Sequence, residues 1–159
     1  MCFGARAGCA DLGCAMLLNL IAGSILVVVT VVIHGVGLLT LSAALRTTVE
    51  RALPHETLAG TVVTMVATVL GLFFLHTLEI WVWALTFVFI GAIPDLTFAL
   101  TFSTLSFSTL GAQDVTIEPS WELFGSIEGV NGFLLIGWST AYLIPAWTRY
   151  GPFHQERGF

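Results

Sequence analysis

Thr104-Leu105-Ser106-Phe107-Ser108-Thr109-Leu110-Gly111-Ala112-Gln113-Asp114 closes a segment that begins at Leu96 and carries Thr97, Thr101, Ser103, Thr104, Ser106, Ser108 and Thr109 among apolar residues. Pro94-Asp95 marks a turn before it and Gly111 a turn after it. Leu96 to Leu110 is too short and too rich in hydroxyls to cross a bilayer, which takes about 20 mainly apolar residues in a helix. A re-entrant segment is the reading that fits. Such backbone is tolerated at membrane depth only where protein buries it or water lines it.

The flanks are far more apolar. Leu58 to Ile93 precedes the segment, and a run from Trp121, firmly apolar from Gly129 to Trp147, follows it. A third run, Leu17 to Leu45, comes earlier and would span roughly 43 Å as a helix, enough to cross with tilt. Across its 159 residues the chain is 57% hydrophobic and 9% charged, against about 25% charged in a soluble domain. It has no Lys, and its mean hydropathy is +0.95. This composition describes an integral membrane protein of one domain. It excludes disorder and a nucleic-acid binder relying on a basic surface. The expectation is an all-α membrane protein with three transmembrane helices plus one re-entrant helix and loop.

Charge sets the expected topology. The 46–57 loop carries Arg46 and Arg51, the C-terminal tail Arg149 and Arg157, and the N-terminal segment only Arg6. The positive-inside rule places that loop and the C-terminus in the cytoplasm, with the N-terminus and the acidic 95–122 stretch outside. Cys2, Cys9 and Cys14 precede the first run without zinc-ligand spacing, and suit acyl anchors or free thiols. The first run is too long for a signal-peptide core of ~7–15 residues. It has no Arg repeat of the voltage-sensing kind.

The 104–114 stretch resembles the pore loop of potassium channels, which reads Thr-x-x-x-x-Thr-Val/Leu-Gly-Tyr-Gly-Asp. Around it, Phe102-Ser103-Thr104, Pro119-Ser120-Trp121-Glu122-Leu123 and Asn131-Gly132-Phe133-Leu134-Leu135-Ile136-Gly137-Trp138-Ser139-Thr140 resemble small bacterial channels of the two-transmembrane and two-pore kind. The resemblance covers roughly 70–147. It implies a pore domain over 58–148: an outer helix 58–93, a pore helix 97–109, a filter loop 109–114 and an inner helix 122–148. The segments 1–16, 17–46 (an added transmembrane helix) and 149–159 (a cytoplasmic tail) lie outside that domain. It also implies a homotetramer in a bacterial inner membrane that passes monovalent cations passively.

In such a filter, rings of carbonyl oxygens replace the ion's water. By resemblance, Thr109, Leu110, Gly111, Ala112, Gln113 and Asp114 form the filter. Asp114, Glu118 and Glu122 form an outer acidic field. Asn131, Ser139 and Thr140 line a wet cavity. Ala112-Gln113 stands where the family has Tyr-Gly. Ala cannot pack against the pore helix as Tyr does, and Gln lacks glycine's freedom at positive φ. Potassium selectivity, a wider unselective pore, a collapsed loop and a remodelled one all stay open. Gly129, Gly132 and Gly137 allow either bending or close helix approach. Glu128 either supports the filter from behind or faces outer water.

Ionisable residues inside a membrane are costly and point to function. They are His34 in the first run and His76 and Glu79 in the second, the latter pair three apart and so on one helix face. Counted from the run ends, His34 lies ~18 Å deep and His76 ~27 Å. Three readings are open: a site for a divalent transition metal, a proton-sensing pair, or a buried network that holds helix register. No paired carboxylates, Ser-His-Asp spacing or phosphate-cradling loop suggests an enzyme, and the His-Glu-x-x-His order is absent. The rival to a channel is a non-conducting protein of the same fold that binds a metal or partner through His34, His76 and Glu79.

Overall fold

The computed structural model describes residues 4–49, 58–111 and 117–150. Among them there is no strand. Helix α1 runs over Gly4–Ala44 and continues through a π-helical turn, Leu45–Val49. Helix α2 is Leu58–Phe89 and α3 is Leu96–Phe107. A 3₁₀ turn, Pro119–Trp121, leads into α4, Glu122–Tyr150. Three helical stretches are long and apolar enough to cross a membrane: Gly13–Thr47, Leu58–Phe89 and Pro119–Pro145. The chain is an all-α membrane protein. Apolar side chains on these helices stay open to the surroundings, as lipid requires; Val28, Leu39 and Phe73 are each more than 60% exposed.

Several boundaries differ from the sequence reading; α3 ends at Phe107 rather than 109, because Thr109 leaves the helix at φ +62°. Helix α1 begins at Gly4 rather than near Leu17. Ala5, Ala7, Ala10 and Ala15 are strong helix formers, and no proline interrupts them. Helix α2 stops at Phe89 rather than Ile93, because Gly91 takes φ +75° and turns the chain.

Helix α3 starts at a built cap. Asp95 has extended backbone, and its carboxylate accepts from the amides of Thr97 at 2.8 Å and Phe98 at 3.0 Å. Three hydroxyls in and just after α3 are satisfied locally: Thr101, Thr104 and Ser108 donate to carbonyls four residues back. A hydroxyl-rich segment can therefore be helical at membrane depth.

The chain forms two compact units, and each long helix contributes to both. The unit of 1–31 with 80–133 has an aromatic core. Phe87 packs edge-on against Phe102 and Phe124, and Trp83 lies 5.2 Å from Phe124 between ring centroids. Asn19 ties α1 to the turn before α4 by donating to the Ser120 carbonyl at 2.7 Å. The unit of 32–79 with 134–159 is built on Leu38, Leu72 and Leu75, flanked by Leu41, Tyr142 and Leu143. Here Gly37 faces Leu75 and Gly71 faces Leu41, so α1 and α2 interlock glycine to leucine in both directions. The hydroxyls of Ser42 and Tyr142 lie 2.7 Å apart and join α1 to α4.

Candidate functional site

Within the first unit, α3 ends in a Schellman-type turn. Thr109 adopts φ +62° and its amide donates to the Ser106 carbonyl at 3.0 Å, while the Leu110 amide donates to the Leu105 carbonyl at 3.0 Å. Gly111 follows at φ +82°, where a side chain would be strained. Thr109, Leu110 and Gly111 are exposed. Ala112, Gln113 and Asp114 lie outside the described residues.

The end of α3 docks on α4 at Gly132. A Cβ there would lie 2.2 Å from the Phe107 carbonyl oxygen and 2.7 Å from its Cα. Gly129 is looser, with the Ser106 carbonyl oxygen at 3.4 Å, and Gly137 faces open space. Of the three glycines, Gly132 is the one required by close approach. Beside this contact an open cleft of ≈ 750 Å³ is lined by Phe102, Ser106, Thr109, Gly111, Glu122 and Ser126, among others. Glu118 and Glu122 are exposed.

Two residues expected to line a cavity point elsewhere. Asn131 is buried and donates to the Thr30 hydroxyl at 2.9 Å. Ser139 is buried against the histidines described below. Thr140 is exposed, with its hydroxyl on the Ile136 carbonyl. Glu128 is fully buried, so it does not face outer water; its carboxylate is set beside the buried hydroxyl of Ser103 on α3.

The second unit brings His34, His76 and Glu79 together. Nδ1 of His34 lies 2.8 Å from Glu79 Oε1, and Nδ1 of His76 lies 3.1 Å from Glu79 Oε2. Ser139 Oγ meets the other nitrogen of both rings, 3.3 Å from His34 Nε2 and 3.0 Å from His76 Nε2. The imidazoles stack with centroids 5.4 Å apart, and Trp138 tilts against His34 at 5.3 Å. The side chains of His34 and Glu79 are fully buried, and that of His76 is 18% exposed. The depth difference counted from sequence shrinks because α1 continues helically to Val49.

Sequence reasoning singled out Ser139 but not this bridging position. A signal was present: Glu128, Asn131, Leu135 and Ser139 recur at i, i+3, i+7 and i+11 and are all buried, which makes them one helix face. The Thr30–Asn131 bond carried no comparable mark.

No protein-family model, curated protein or solved structure matches this chain.

Proposed function

We propose that the chain is one subunit of a tetrameric cation channel of the potassium-channel-like pore-loop type. The observation that carries this reading is α3. It is a 12-residue helix too short to cross, seated by its C-terminal end on the glycine face of a crossing helix at Gly132. The C-terminal end of a helix has a partial negative charge, which favours a cation beyond it. The exposed turn Thr109–Gly111 is where a carbonyl-lined filter would begin, with Ala112, Gln113 and Asp114 completing it. Asp114, Glu118 and Glu122 would gather cations at its mouth. Four copies would close the ring around α4, the inner helix. The charge pattern supports a cytoplasmic C-terminus and an outer N-terminus, and the family resemblance supports a bacterial inner membrane. The permeating species is a monovalent cation. Its identity rests on how Ala112-Gln113 replaces the usual Tyr-Gly.

The test is ion flux from the purified protein in liposomes, comparing potassium, sodium and a large organic cation, with empty liposomes as control. Flux that prefers small monovalent cations is the expected result. No flux at any pH from folded protein refutes the channel and returns the chain to the non-conducting alternative. Restoring Tyr and Gly by Ala112→Tyr with Gln113→Gly is expected to raise potassium selectivity.

A further inference from the structure

We propose that His34, His76 and Glu79 form a binding site for one divalent transition metal ion, zinc or a metal of similar preference, with Ser139 as the outer residue that orients both imidazoles. The inference is separate from the channel reading and needs no ion flux.

The two imidazoles are used in the same way. Each presents Nδ1 to the Glu79 carboxylate and Nε2 to the Ser139 hydroxyl. One ligand atom from each of His34, His76 and Glu79 lies within 4.8 Å of the others. Two imidazoles and a carboxylate are a zinc donor set that leaves a fourth position for water or an exogenous ligand. Metal-bound histidines almost always donate their second N–H to an outer acceptor that fixes the tautomer. The Ser139 oxygen has two lone pairs, one for each Nε2–H. A network that only held helix register would not require both rings to offer the same nitrogen to one carboxylate.

With a divalent ion bound through both Nδ1 atoms and Glu79, each Nε2 would carry a proton toward Ser139 and the site would hold a charge of +1, which hydroxide or another anion at the open position would neutralise.

The experiment titrates Co²⁺, and then Zn²⁺ in competition, into the full chain purified in detergent. Visible absorption reads the coordination and the stoichiometry. The expected result is one Co²⁺ per chain in a low-symmetry, four-coordinate spectrum. Binding disappears in His34→Ala and in the isosteric Glu79→Gln. It weakens about 10–100-fold in Ser139→Ala, as for other outer-shell losses, and is retained in Ser139→Thr. Absence of stoichiometric metal on the folded wild-type chain overturns the site. So does binding that survives both His34→Ala and Glu79→Gln, since the ion would then sit on other histidines or on the cysteines.

Discussion

Replacing Gly132 with alanine tests the contact on which the proposed pore rests. The added Cβ would meet the Phe107 carbonyl oxygen at 2.2 Å, its Cα at 2.7 Å and its carbonyl carbon at 2.8 Å. All three atoms are backbone, so no rotamer change relieves the overlap. The end of α3 must retreat from α4 by about 1 Å to reach even the short end of ordinary contact. Overpacking of this kind costs about 1–3 kcal/mol, and each ~1.4 kcal/mol is tenfold in an equilibrium constant. Thermal unfolding of purified protein in detergent, followed by circular dichroism, should therefore show Gly132→Ala markedly less stable than wild type. In liposomes the same variant should lose or alter flux if the channel proposal holds, because the proposed filter begins two residues beyond Phe107. Gly137→Ala is the control: nothing lies within 4 Å of its added carbon, and alanine is the better helix former by about 0.8–1 kcal/mol. Truncating the neighbour by Phe107→Ala should not rescue Gly132→Ala, since the clash is with backbone. Equal stability of Gly132→Ala and Gly137→Ala would refute the docking argument.

Three further substitutions probe other joints. Gly37→Ala places a carbon 2.1 Å from Leu75 Cδ2, the tip of a flexible side chain. Its penalty in detergent melts should be smaller than that of Gly132→Ala and should shrink further when combined with Leu75→Ala. Asp95→Ala removes the acceptor of two α3 amides and should cost about 0.5–2 kcal/mol, whereas Asp95→Asn should keep most of the cap; chemical denaturation of the two variants gives the comparison. Thr30→Val strips Asn131 of the acceptor it uses at 2.9 Å and should cost roughly 0.6–3 kcal/mol, between a typical intramembrane bond and an unsatisfied buried donor. A second change, Asn131→Leu, should recover much of that loss in a double-mutant cycle.

Much of the architecture was legible in the chain because lipid imposes a local rule. A backbone without water must satisfy its own polar groups, so a long apolar run becomes a helix that crosses. The runs around Leu17–Leu45, Leu58–Ile93 and Gly129–Trp147 gave the three long helices in this way. The hydroxyl-rich segment between Pro94 and Gly111 stood out by length and composition, and the turn written by Pro94-Asp95 proved to be the cap of α3. The ends were less legible. Hydropathy underestimated α1, whose first turns are alanine-rich rather than apolar. It overestimated α2, which Gly91 stops through φ rather than through polarity.

The candidate metal residues were legible as types and not as a group. His34, His76 and Glu79 stood out because ionisable side chains are rare at membrane depth. Nothing local states which face of α1 meets α2, or by how much one helix slides along the other. Those quantities come from interlocked side chains far apart in sequence, such as Gly37 with Leu75 and Gly71 with Leu41. They also decide that Ser139 turns toward two imidazoles and Asn131 toward Thr30 instead of toward open space. Sequence by itself determined that this is a helical membrane protein with a short hydroxyl-rich helix between two crossings, because hydropathy and hydrogen-bond satisfaction act along the chain. Only the tertiary structure decided which polar side chains meet, because rotation and register are properties of packing between helices and not of any one of them.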